Sequence, residues 1–339
     1  TAAGVYELTS GAGKITIADG VTDVKFIQSG GSLSGVSITG PSSGNANIWI
    51  EDLNISNSTE NVIKFQGEGN VLTVKGSNVL TETSSTAAAI NIGGGLNIQG
   101  SDGNSLKVTT PSSSTGAAIG SDGGESLTGD INIIDLNLTG AYAHYGSVIG
   151  SGGSGGNIGT ITIENSTVDA TGFYNAIIGS GHGSSSAGDI WVVNSTVTIG
   201  QVNGTVGLVD TGIGSGYSGS SCGDIYILDS SVEIHNQLSA CIGAGDASTC
   251  GNILVSASVI KGQSNEGACI GSGQNGSTAG NITITNATSI SHKSPDGAAI
   301  GTGANGKVGK ITVDAKSVLQ EYSQRKYGGA LPEYIEISE

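Results

Sequence analysis

Two aspartates stand two residues ahead of two aromatic side chains in the segments GDIWV and GDIYI: Asp189 before Trp191, and Asp224 before Tyr226. Carboxyl groups about 5 to 5.5 Å apart are the pair a retaining glycosidase uses, one as acid and one as nucleophile. Mutual repulsion at that range raises the pKa of one partner and so separates the two roles. Aromatic rings beside carboxylates and amides form the other sugar chemistry, in which rings pack on the apolar faces of sugars and polar groups bind hydroxyls. Trp191 and Tyr226 are candidates for it, as are His182, Tyr217, Tyr145 and Tyr174. Seven of the 14 aromatic residues fall between Tyr142 and Tyr226, so these candidates are concentrated in one quarter of the chain. A plainer role is open to each group. Asp often opens a strand by accepting hydrogen bonds from turn amides, and Trp191 and Tyr226 would serve equally as cover for a neighbouring loop.

Whether these residues meet depends on what positions them, and that is a repeat. AAIGSDGGESLTGDINI from Ala117, SVIGSGGSGGNIGTITI from Ser147, AIIGSGHGSSSAGDIWV from Ala176 and TGIGSGYSGSSCGDIYI from Thr211 share one pattern, which continues from Ala240, Ala268 and Ala298. The isoleucine before the first glycine is Ile119, Ile149, Ile178, Ile213, Ile242, Ile270 and Ile300, at spacings of 30, 29, 35, 29, 28 and 30. Each unit reads as a short strand at Ile-Gly, a Gly/Ser turn, an Ile-x-Ile strand and a return strand such as STVDA. Alternation of period two sends Ile131 and Ile133, or Ile161 and Ile163, to one face. One coil cannot bury that face alone, so coils must stack as parallel strands about 4.8 Å apart. The predicted fold is all-β: a right-handed parallel β-helix, or β-solenoid, with coils of about 28–30 residues.

The chain reads as one β-helix domain over 1–339: degenerate N-terminal coils over 1–116, seven regular coils over 117–318 and a short C-terminal cap over 319–339. At the cap, SVLQEYSQRKYGG carries helix-forming residues and YIEIS would add a strand. In the regular coils, function lies in columns of equivalent positions. The residue after the strand-opening glycine is Asp130, Thr160, Asp189, Asp224, Asn252, Asn281 and Lys310; two further on stand Asn132, Thr162, Trp191, Tyr226, Leu254, Thr283 and Thr312. A turn column joins His182, Tyr217, Asp246 and Gln274, and Tyr145 stacks with Tyr174 beside Tyr142, His144 and Phe173. The 35-residue spacing marks 200–210 as an inserted loop that could wall the aromatic coils. Cys222 and Cys250 precede the strand-opening glycine on adjacent coils, and Cys241 and Cys269 precede the isoleucine of the Ile-Gly motif. Stacking puts both pairs within disulfide range, with Cys222–Cys250 the favoured bridge and Cys241–Cys269 either a second bridge or a buried ladder of small apolar side chains.

Composition narrows the partners. With 59 glycines but only four prolines, and with Ile and Val throughout, the chain suits ordered β structure with tight turns rather than disorder. Twelve basic against 28 acidic residues give a net charge of −16, which repels a phosphate backbone, so no nucleic acid is expected as partner. No apolar run is long enough to span a bilayer, so no membrane insertion is expected. Neither C-x-x-C spacing nor a His/Cys cluster is present, so no metal and no cofactor is expected. Residue 1 is Thr1, so a leading segment is expected to have been removed, and the acidic, Ser/Thr/Asn/Gly-rich chain suits a secreted or cell-surface protein. The nine Asn-x-Ser/Thr sequons, among them Asn54, Asn165, Asn194 and Asn286, read as mostly compositional in so Asn- and Thr-rich a chain.

The pattern A-[AIC]-I-G-S-G, then G-[DN]-I-x-I, then N-S-T-V, clear over about residues 117–318, resembles the glycine-rich repeats of secreted and surface proteins in the pectate-lyase-like right-handed parallel β-helix superfamily. That resemblance implies the fold, and it implies a module of a larger polysaccharide-active protein. It does not choose an activity, because the superfamily holds lyases, hydrolases, adhesins and binding modules. Gly181-His182-Gly183 resembles a polygalacturonase motif, but the partner asparagine, paired-aspartate and RIK motifs of that family are missing. A uronate lyase would want calcium and a basic residue facing its substrate, and Lys and Arg are nearly absent from the first five regular coils. The expectation is an extracellular β-helix that binds polysaccharide or glycan through the aromatic surface of regular coils two to four. A glycoside hydrolase using Asp189 and Asp224 is the first alternative, and a structural adhesin stalk or fibre subunit the second.

Overall fold

In this computed structural model the repeat isoleucines stack one above another, from Ile119 through Ile149, Ile178, Ile213, Ile242 and Ile270 to Ile300, and the chain winds as a right-handed parallel β-helix. The structure describes residues 3–57, 59–101, 103–202, 205–206, 209–235, 238–286, 288–294, 296–314, 318–323 and 336–338. No helix occurs among them. Three long parallel sheets, of 13, 11 and 11 strands, run along the solenoid.

One coil shows how the residues produce the faces. The first face is Ile149–Gly150, the second Ile161–Glu164 and the third Thr167–Gly172. Ile149, Ile161, Ile163 and Val168 point inward and are fully buried, while Thr162, Glu164 and Asp169 alternate outward. A lone coil would leave this apolar set against water; stacking removes it, at roughly 25 cal/mol for each Å² covered.

Residues before 117 join the same solenoid, because Ile15, Ile38, Ile63 and Ile90 continue the isoleucine column into Ile119. Their coils are shorter where the first face turns into the second: Ile63 reaches the next strand at Asn70, whereas Ile119 reaches it at Ile131. At the other end, Val318–Ser323 is a strand of the third sheet beside Ser289–Ser294, where the sequence suggested a helical segment. An open sheet edge offers each residue a backbone partner, which outweighs the helix propensity of six residues. Glu336–Ser338 pairs with the second sheet, and the rest of the expected cap lies outside the described residues. In the inserted loop, Gln201–Val202 pairs antiparallel with Thr205–Val206.

The Ile-Gly corner explains why the glycine recurs. From Gly120 to Gly301 its φ lies between 135° and 154°, a conformation that side chains avoid. A Cβ on Gly120, Gly150, Gly179, Gly214, Gly243 or Gly271 would also overlap the carbonyl oxygen of the next coil's glycine. The serine that follows has its own partner. Ser121, Ser151, Ser180 and Ser215 each accept a hydrogen bond from the second motif glycine of the next coil, at 2.9–3.2 Å. Thus I-G-S-G is a stacking device at every position.

The Asn-Ser-Thr segments are another. Asn165, Asn194 and Asn286 turn the chain at positive φ, a conformation Asn tolerates. The serines after them, Ser166 and Ser195, together with Ser230 and Ser258, form a ladder: the N–H of Leu136, Ser166, Ser195 and Ser230 donates to the hydroxyl one coil on, at 3.0–3.1 Å. These sequons therefore have a folding role that composition alone did not reveal.

The corner supplies a stability test. Gly179→Ala is expected to cost at least about 3 kcal/mol, through backbone strain and overlap with the next coil. Gly11→Ala, where no atom lies within 4 Å and φ is not positive, should stay within about 0.5 kcal/mol. Thermal melts of the two variants decide it; equal melting temperatures would refute the corner's role.

Candidate functional site

The outward column of the second face stacks Trp191 between Thr162 and Tyr226, with Leu254 after Tyr226. The Trp191 and Tyr226 rings lie 3.8 Å apart and 13° from parallel. At that separation each ring covers one face of the other, and both side chains are partly buried. A sugar needs an uncovered ring face to pack on. This pair spends a face of each ring on its neighbour.

Asp189 and Asp224 follow the same logic. Asp130 accepts a hydrogen bond from the Thr160 N–H at 2.7 Å, Asp189 from the Asp224 N–H at 2.8 Å, and Asp224 from the Asn252 N–H at 2.6 Å. Asn252 and Asn281 continue the ladder to Asn281 and Lys310. The second oxygen of Asp224 receives the Tyr226 hydroxyl at 3.3 Å. A column in which Asn replaces Asp without change of role is a stacking column, and that role engages one oxygen of Asp189 and, with Tyr226, both of Asp224.

The four cysteines are buried thiols, so neither expected bridge is formed in this structure. Cys222 and Cys250 contact one another across adjacent coils, as do Cys241 and Cys269. The Cys250 hydrogen bond and burial push the Cys222 thiol up, while burial and the Cys269 contact push the Cys241 thiol up. Bridge formation starts from a thiolate, which this environment opposes.

The remaining candidates converge elsewhere. Tyr145 and Tyr174 each stand four residues before the isoleucine of the Ile-Gly corner; His182, Tyr217, Asp246 and Gln274 each stand four residues after it. The corner is tight, so the two columns flank it closely, and the His182 N–H donates to the Tyr145 carbonyl at 2.8 Å. Between them runs a groove of about 410 Å³ lined by Tyr145, Tyr174, His182, Tyr217, Asp210, Asp246, Leu238 and Gln274. Tyr145 and Tyr174 stack at 6.1 Å and 15°, His182 and Tyr217 at 5.3 Å and 20°, and the two pairs meet edge to face at Tyr145 and His182. Behind Tyr145, His144 packs edge to face at 4.3 Å and stacks on Phe173, which meets Tyr142 edge-on. Tyr174 and Tyr217 remain 37% exposed, the largest exposure of any aromatic side chain in the groove.

Two carboxyl groups lie in this groove. Asp246, 8% exposed, accepts a hydrogen bond from the Asn275 side chain at 2.9 Å through Oδ2, while its Oδ1 has no hydrogen-bond partner. Asp210 is fully buried, and burial, reinforced by the negative charge of Asp246, pushes its carboxyl up to about 8. At neutral pH Asp210 therefore carries its proton. Burial also holds His182 and His144 below the usual imidazole range, so neither ring is a cation at that pH.

Thus the structure gathers Tyr145, Tyr174, His182 and Tyr217, and leaves Trp191, Tyr226, Asp189 and Asp224 on the second face, outside the groove's lining. Asp210 was not singled out from the sequence. It ends the insertion at the place where the preceding coil has Asn175, three residues before the corner isoleucine, so no repeat of acids marks it. The signal available was the 35-residue spacing itself. Among the described residues, no three His, Cys, Asp or Glu side chains converge as metal ligands.

Asp210 sets a pH dependence. Its pKa is higher in the folded chain than the ordinary 3.8, so its contribution to stability is full below about pH 3.8 and is lost as pH rises towards 8. Asp210→Asn keeps the shape without the titration. The variant is expected to be more stable than wild type by more than about 1 kcal/mol at pH 8, with the difference vanishing near pH 4. Urea unfolding at the two pH values measures this, and a pH-independent difference would contradict it.

Compared with known proteins, the chain matches no family model, no curated protein and no solved structure.

Proposed function

We propose that this β-helix binds carbohydrate in the groove across its Ile-Gly corners. One observation carries the reading: aromatic rings, a carboxylate and an amide from six coils line a single groove of about 410 Å³. That volume is in the range of small-ligand sites, roughly 300–1,000 Å³. Sugars present apolar C–H faces and a fringe of hydroxyls, and this lining offers both complements: ring surface on Tyr174 and Tyr217, and acceptor oxygens on Asp246 and Gln274. The groove crosses several coils, which suits a chain of sugars. A module of a secreted or cell-surface protein, acting on polysaccharide or glycan, is the setting this reading implies.

Asp189 and Asp224 have little part in it, since they lie outside the groove's lining and Oδ1 of each serves the backbone ladder. A glycoside hydrolase built on that pair would have to release those bonds. A passive stalk would need the stacked core but no groove.

A glycan-array and insoluble-polysaccharide screen tests the proposal. Tyr174→Ala/Tyr217→Ala is expected to weaken binding at least about tenfold, as removal of stacking rings does. Trp191→Ala/Tyr226→Ala should leave binding unchanged and lower stability by at least about 1 kcal/mol, since the loss of buried area adds to the worth of the ring pair itself. Bound oligosaccharides should be recovered uncut. Wild-type protein that holds no glycan overturns the proposal, and cleavage products would turn attention to hydrolysis.

A further inference from the structure

We infer that the groove selects sugars that carry a positive charge, namely amino sugars with an unacetylated ammonium group, over neutral and anionic sugars. The inference rests on the carbohydrate reading of the same groove and adds the class of sugar.

The first support is the state of Asp246. Its side chain is more than nine-tenths buried at the groove, and Oδ1 is left without a hydrogen-bond donor. None of the ion pairs among the described residues includes Asp246; those pairs join Lys14 to Glu60, Lys25 to Glu51, Lys64 to Asp122, and both His235 and Lys261 to Glu233. A buried carboxylate without a countercharge favours a cationic occupant strongly, because the surrounding dielectric is low.

The second support is the lining. Among the described residues no Lys or Arg borders the groove, and the one histidine that does, His182, is held neutral by burial. Asp210 beside it is protonated at neutral pH and adds no negative charge of its own to the groove. Tyr145, Tyr174 and Tyr217 add ring surfaces, whose negative faces attract cations. Gln274 donates one amide N–H to Glu266, and its amide oxygen is an acceptor for a ligand. An ammonium, with three donors and no acceptor, suits the unpartnered Asp246 carboxylate oxygen; a carboxylate or sulfate does not.

The third support is the long-range field. With a net charge of −16 the chain repels polyanions and draws cationic polymers towards it.

Calorimetric titration of the full chain tests the inference with four hexasaccharides at one pH below 7 and low salt: glucosamine, N-acetylglucosamine, glucose and galacturonate oligomers. Acetylation removes the charge and leaves the ring, so the first two probes isolate the ammonium. The glucosamine hexamer is expected to bind at least about tenfold tighter than both neutral hexamers, to weaken with added salt, and to lose that advantage in Asp246→Asn. The galacturonate hexamer should not bind. Equal affinity for the acetylated and unacetylated hexamers overturns the inference while leaving carbohydrate binding intact. Failure of all four overturns the inference, while carbohydrate binding itself stands or falls with the glycan and polysaccharide screen. Spermidine bound as tightly as the glucosamine hexamer would show a cation site without sugar specificity, which also overturns it. The wild-type comparison needs no variant, so a folding defect in Asp246→Asn would not blur the result.

Discussion

Adjacent coils approach so closely at the Ile-Gly corner that a Cβ on one glycine would occupy the carbonyl oxygen of the next. That approach sets the geometry of everything else. It lets the isoleucines on either side stack without a gap, it brings the chain before the corner against the chain after it, and it holds each coil in register with its neighbour. Because every coil buries its apolar face only against the coils above and below, register is a condition of stability as well as a consequence of it.

Strict register turns small polar residues into ladders. The serine after the corner glycine, the serine after the positive-φ turn and the Asp/Asn that opens the second face each bond to the backbone one coil away. A residue engaged in such a ladder has little freedom for another partner. Asp189 and Asp224 illustrate the point, since their proximity arises from the same stacking that occupies them. Trp191 and Tyr226 do the same with their rings. In a solenoid, repetition down a column points to structure, and departures from it point to function.

The groove is made of such departures. Tyr145, Tyr174, His182 and Tyr217 occupy turn positions where the other coils carry no aromatic residue, and they meet only because the corner folds their two columns together. Asp210 departs further, arriving at the end of an insertion that lengthens one coil. Its burial beside Asp246 keeps its own carboxyl protonated at neutral pH. The electrostatic character of the site thus follows from the same close packing that stabilises the core: burial suppresses charge on the histidines and on Asp210, and leaves Asp246 without a cation.

Much of this was legible in the residues. The seven isoleucines, the period-two alternation and the turn chemistry determined the β-helix, its register and the columns of Asp189, Trp191 and His182, because a repeat that cannot bury its own apolar face has one economical way to do so. The C-terminal strand Val318–Ser323 escaped that reading, since propensity speaks for the isolated segment and the sheet edge lies elsewhere in the chain. Which of the aromatic columns forms a groove also required three dimensions. Position in a column says which residues stack, but it carries no distance between columns, no ring orientation and no burial. The tertiary structure alone decided that the faces of Trp191 and Tyr226 close on one another, that Tyr145 meets His182 across the corner, and that Asp210 is buried beside Asp246, because the first depends on ring orientation and the others on contacts between columns, neither of which the period of the repeat specifies.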